Sequence, residues 1–218
     1  MLINIHTHHL PKDENSTLNI LNQYPWDFHL NQSFYSIGIH PIFITDSSIE
    51  EDLNKIEQKL SDQKCLAIGE IGLDKLCAVD FDLQITVFKR QLEIVKKYNT
   101  PLIIHCVRAH QEILKIQKDM KYTMPFIFHG FNKNDNVAQQ LIKNKCKLSF
   151  GKDLLHNKKL QTIFAEISEN DFFLENDNSQ VPIEEIYHKA AEIRNTSVKV
   201  ISQITQCNFK TIFGNNII

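Results

Sequence analysis

The sequence is poor in the features that mark fibrous, secreted or membrane-spanning chains. Glycine and proline number six each in 218 residues, so no collagen-like repeat or long flexible linker is present, and the glycines fall mostly at strand ends and turns. Cysteine occurs five times, at Cys65, Cys77, Cys106, Cys146 and Cys207, with no Cys-x-x-Cys pair. An odd, dispersed set argues against a disulfide framework or a thiolate zinc site and for reduced thiols in the cytoplasm. No apolar run approaches the ~18 residues of a membrane span, and the N-terminus lacks a basic region followed by an apolar one. The net charge is −2, which offers a polyanion no general attraction. Any contact with nucleic acid must use basic residues gathered locally.

What is present is an ordinary globular composition, 42% hydrophobic and 23% charged, sufficient for one core and read as a single domain over residues 1–218. Short apolar runs alternate with longer segments of helical spacing. Strands are expected at residues 2–6, 18–22, 34–39, 65–70, 102–105, 126–129, 146–150 and 172–175. Helices are expected at 48–60, 81–98, 111–120, 136–144, 158–167, 183–193 and 198–212. Eight strands, most followed by a helix, give a (β/α)8 TIM-type barrel. The first two βα units should be distorted, because the gaps on either side of residues 18–22 hold Pro11, Pro25 and runs of Asn and Asp and are too short for crossover helices. The outer layer should be incomplete there, leaving apolar surface that a partner or second copy could cover.

The chemistry is concentrated where the strands end. In Ile3-Asn4-Ile5-His6-Thr7-His8 the two imidazoles share one face of a strand, about 7 Å apart, and can grip one ion at a pocket. Pro101-Leu102-Ile103-Ile104-His105 and Pro125-Phe126-Ile127-Phe128-His129 repeat one layout 24 positions apart. Ala67-Ile68-Gly69-Glu70 and Phe172-Phe173-Leu174-Glu175-Asn176-Asp177 end instead in carboxylates. Parallel barrel strands deliver their carboxyl ends to one rim, where active sites of this fold lie. Four imidazoles with two carboxylates, and no paired thiolates, suit a dinuclear centre of divalent first-row ions.

These stretches, with Gly38-Ile39-His40-Pro41, Gly69-Glu70-Ile71-Gly72-Leu73-Asp74 and the segment 84–92 containing Phe88 and Gln91, resemble the TatD family of metal-dependent deoxyribonucleases in the amidohydrolase-like barrel group. The resemblance implies one metal held by His6, His8 and Asp177, a second by His105 and His129, and Glu70 bridging both. The ions would be zinc, magnesium, manganese or iron. It also makes Asp177 the general base of divalent-metal-dependent phosphodiester hydrolysis, with DNA the first candidate substrate. His40 and Asp74 match motif positions whose role is either structural or in substrate contact. Arg108 is the candidate phosphate clamp or else a solvent-facing arginine, and Lys75, His110, Lys133 and Lys152 follow strands four, five, six and seven on the same rim.

Three departures from the family pattern stand out: Lys75 in place of the usual tyrosine, a trimmed loop after Asp177, and a short segment between His8 and His40. With that loop trimmed, frayed ends or single strands should be preferred over long duplex. A hydrolase of another ester or a cyclic amide, and a non-catalytic binding scaffold, remain the alternatives.

Overall fold

A computed structural model of the chain describes residues 1–10, 16–29, 33–215 and 217. Eight strands are hydrogen-bonded in chain order: β1 (Leu2–Thr7), β2 (Thr17–Gln23), β3 (Phe34–Ile37), β4 (Cys65–Asp74), β5 (Leu102–Val107), β6 (Phe126–Phe128), β7 (Lys147–Phe150) and β8 (Phe172–Leu174). Their helices are α1 (Ile49–Lys59), α2 (Phe81–Lys96), α3 (His110–Asp119), α4 (Asp135–Lys143), α5 (Lys158–Glu166), α6 (Ile183–Ile193) and α7 (Val198–Phe213). The architecture is a (β/α)8 TIM-type barrel. Contacts divide the chain into two compact units, residues 1–21 with 127–218, and residues 22–126.

Local sequence accounts for the helices. Asp80 accepts a hydrogen bond from the Leu83 amide at the start of α2, and Asn134, Asn157 and Ser197 cap α4, α5 and α7 in the same way. α2 then buries Gln84, Val87, Phe88, Gln91, Leu92 and Val95, a single stripe at helical spacing. Among the described residues no α-helix lies between β1 and β3, only the three-residue 3-10 turn Pro25–Asp27, as the short gaps require. Pro11 falls outside the described residues. Beside β1 and β2 lies a cavity of about 270 Å³ lined by Asn4, Thr17 and Asn19 together with the apolar Leu10, Val181 and Pro182.

Strand β4 runs four residues past the expected end at Glu70. Its pairing with β5 resumes after a register shift between Ile68 and Ile71 and continues to Asp74 opposite Val107. Gly72 makes this possible: at φ +152° a Cβ there would overlap the His105 carbonyl.

In the unit containing both chain ends, β1 and β8 share little ladder, and side chains complete the seam. The buried Tyr187 hydroxyl accepts from the Ile3 amide at 3.0 Å and donates to the Ile3 carbonyl at 2.9 Å, with the Thr205 hydroxyl 2.8 Å away. Burial pushes the phenol well above its ordinary pKa, so it stays protonated. Tyr187→Phe would leave a buried strand amide and carbonyl unsatisfied. It is expected to cost about 1–3 kcal/mol of stability in denaturant melts, and an unchanged midpoint would show that the seam does not depend on the hydroxyl.

Candidate metal centre

Each unit carries its own cluster of ligand-type side chains. In the first, β1 supplies His6, fully buried, and His8 just beyond its end, while the loop after β8 supplies Asp177. Asp177 Oδ1 lies 3.5 Å from His6 Nε2 and 3.4 Å from His8 Nε2. Those distances are long for good hydrogen bonds, which cluster at 2.7–3.2 Å. They match the edge of a ligand tetrahedron: with metal–ligand bonds of about 2.05 Å, donor atoms sit roughly 3.3 Å apart. The donor set and its spacing therefore fit a divalent cation.

The backbone at Asp177 is held from two sides. Its amide donates to the His6 carbonyl and its carbonyl accepts from the His8 amide, both at 3.1 Å, with φ at +52°. Left-handed backbone is uncommon outside glycine but better tolerated by Asp and Asn, and this pairing pins it. Asn4 adds a second clamp. Its amide nitrogen donates to Asn19 Oδ1 at 2.9 Å and Asn176 Oδ1 at 3.0 Å, and its oxygen accepts from the Asn176 amide at 3.1 Å. Burial works to protonate Asp177, but contacts from His6 and His8 prevail and hold its carboxyl well below the usual range.

His129, at the end of β6, joins this cluster, its ring 4.5 Å from that of His6. The wholly buried Glu175 lies 3.4 Å from His129 Nδ1 and accepts from the Gly130 amide at 2.7 Å. A carboxylate at Nδ1 fixes ring orientation and directs Nε2 outward as a ligand. Lys152 and Asp177 both line a small cavity of about 160 Å³, together with Asn132 and Gly130. Lys133 donates to Asn132 Oδ1 at 2.7 Å.

In the second unit Glu70 is the hub. The side chain is nearly buried, with Oε1 2.6 Å from His105 Nδ1 and 3.2 Å from His40 Nε2. Asn22 Oδ1 receives the Glu70 amide at 2.8 Å. His105 Nε2 lies 3.3 Å from Asp74 Oδ2, so carboxylates meet both ring nitrogens. His40, Glu70 and His105 offer three donor atoms within 4.8 Å of one another, which puts His40 among the ligand-type residues rather than in a remote turn. Arg108 is exposed, with φ +54°, three residues beyond His105.

Two glutamines that sequence reasoning did not assign hold this cluster in place. Gln91 Oε1 accepts from the Ile39 amide at 2.8 Å and its nitrogen donates to the Ile39 carbonyl, fixing the residue before His40. Gln84 does the same for Asp74, at 2.8 and 3.0 Å. Their signal was an amide on the apolar stripe of α2. Lys75 does not stand open on the rim, because its ammonium is paired with Glu112.

A family profile described as TatD related DNase matches residues 5–214. The chain belongs to that family. Among TatD relatives, it is 29% identical over 200 residues to the uncharacterized metal-dependent hydrolase YabD of Bacillus subtilis, covering 84% of this chain and 78% of the relative. It is 33% identical over 121 residues to the human 3'-5' RNA nuclease TATDN2, covering 53% of this chain and 16% of that protein. Its fold matches the solved structure of YjjV, a TatD homolog from Escherichia coli, with a TM-score of 0.83, 21% identity and 98% coverage of each chain. Like the TatD relatives, this protein is a metal-dependent hydrolase.

Proposed function

We propose that this protein, acting as one hydrolase domain over residues 1–218, cleaves phosphodiester bonds in nucleic acid, with DNA the first substrate. The observation that carries the reading is Asp177: a carboxylate set at ligand-sharing distance from two imidazoles, lining a cavity that Lys152 also lines. His6, His8 and Asp177 would hold one divalent ion and His105 and His129 a second, with Glu70 ligating both. Bound there, the ions supply Lewis acidity toward the phosphoryl oxygen and lower the pKa of water toward neutrality.

The remaining steps belong to side chains. Asp177 accepts the proton of the water that attacks phosphorus, being unprotonated across the neutral range. Glu175 keeps the His129 ring turned, and Asn4 keeps the Asp177 loop against β1. Arg108, Lys133 and Lys152 take the phosphate charge, while His40 and Asp74 position Glu70 and His105 and border the substrate. The five cysteines are all free thiols, which suits a reducing compartment such as the cytoplasm.

The test is hydrolysis by metal-replete protein of single-stranded DNA, duplex DNA and RNA, with and without chelator. Cleavage should vanish with chelator, return with added divalent ion, and favour single strands. A protein inert on every phosphodiester but able to open a lactone or cyclic amide would be a different hydrolase on the same residues.

A further inference from the structure

Tyr24, Trp26 and Phe43 form a ring cluster in the unit that carries His40, Glu70 and His105. Tyr24 and Trp26 stack with centroids 4.9 Å apart and planes 9° from parallel. Phe43 meets both edge-on, at 5.3 and 5.5 Å. Trp26 lies in the turn Pro25–Asp27 that follows β2, and Phe43 ends the turn Pro41–Phe43 that His40 begins. The His40 ring is 5.7 Å from Phe43, and its Nε2 is 3.2 Å from Glu70. The cluster is thus one imidazole away from a candidate ligand.

Rings gathered only for packing would be covered, since burying an aromatic side chain is favourable. These are not: Trp26 is 42% exposed and Phe43 44%. Tyr24 stacks on the indole and Phe43 meets it at a steep angle, and Trp26 still keeps much of its surface exposed. A base in a duplex already has neighbours on both faces, whereas an unpaired base gains from a flat aromatic partner whatever its identity.

We propose that Trp26, backed by Tyr24 and Phe43, is a stacking platform for an unpaired nucleobase of the substrate. The proposal rests on the nuclease reading and supplies a reason for single strands or frayed ends to be chosen. The platform sets the base beside His40, and the backbone of that nucleotide then runs toward the residues around Glu70.

Trp26 is the only tryptophan, so its own emission reports occupancy. Metal-replete protein is titrated with a phosphorothioate hexathymidylate, which resists cleavage, and with an abasic strand of the same length and backbone. The base-bearing strand should quench emission saturably and bind about tenfold more tightly than the abasic strand, which should leave emission unchanged. Trp26→Ala, checked for folding by circular dichroism, should weaken binding of the base-bearing strand roughly 5- to 100-fold, spare the abasic strand, and be partly rescued in Trp26→Phe. Equal quenching by both strands, or unaltered affinity in folded Trp26→Ala, overturns the platform. Base-dependent quenching by a protein that hydrolyses no phosphodiester removes the nuclease reading instead, so the two failures are distinguishable.

Discussion

Asp177→Asn is expected to lower kcat on a phosphodiester substrate by about 10²–10⁴-fold, the usual contribution of a positioned general base, while much of the metal stays bound. The substitution is nearly isosteric and leaves the local fold alone. Asn tolerates the left-handed backbone at φ +52°, and the two main-chain bonds to His6 and His8 do not involve the side chain. What changes is charge. The carboxylate that His6 and His8 hold deprotonated becomes an amide that cannot accept a proton, though its carbonyl oxygen can still face the same cation. Metal content by mass spectrometry and kcat with KM are the paired readouts. A kcat within tenfold of wild type would remove Asp177 from the role of base. Loss of all metal together with kcat would mean that its part is ligation alone.

The divide between what the sequence discloses and what it hides runs between ligand-type side chains and the amides that support them. The nearness of His6 to His8, and of Glu70 to His105, could be expected because strands alternate faces and parallel strands end on a common rim, while Asp177 was marked out by the family resemblance. The supporting amides carried no such signal. Gln84 and Gln91 sit on an amphipathic helix, where glutamine ordinarily faces water. Their partners, the backbones of Asp74 and Ile39, lie 10 and 52 residues away. Asn4 was visible only as a neighbour of His6, yet its partner Asn176 is 172 positions distant.

Gly69 and Gly72 read as punctuation, which ended β4 too early. They are instead places where β4 and β5 approach so closely that no side chain fits. Lys75 looked like rim charge because Glu112, its ion partner, comes 37 residues later, on α3. Long-range pairing of polar groups leaves no trace in local periodicity. The lack of an α-helix between β1 and β3 among the described residues, by contrast, followed from gap length and Pro25.

Glu70→Ala should be the most damaging single change to metal content. Glu70 is 4% exposed, and one of its oxygens meets both His105 at 2.6 Å and His40 at 3.2 Å. Truncation would leave His40 Nε2 and His105 Nδ1 without the carboxylate they share, with Asp74 still beside His105 Nε2, and removing one partner of a buried charged contact is costlier than the contact itself is worth. If Glu70 also ligates both ions, its loss should lower occupancy at both positions, whereas His129→Ala should chiefly empty one. Glu70→Gln separates ligation from folding. The amide can keep its oxygen where Oε1 meets both His105 and His40, so the fold should persist with a melting temperature nearer wild type than that of Glu70→Ala. Without the negative charge, metal content should still fall, because hard divalent ions favour carboxylate over amide oxygen. Mass spectrometry of purified, chelex-treated and reloaded proteins gives the stoichiometry directly. Full metal content in both Glu70 variants would rule out the bridging role and leave Glu70 as the anchor of His105 and His40 alone.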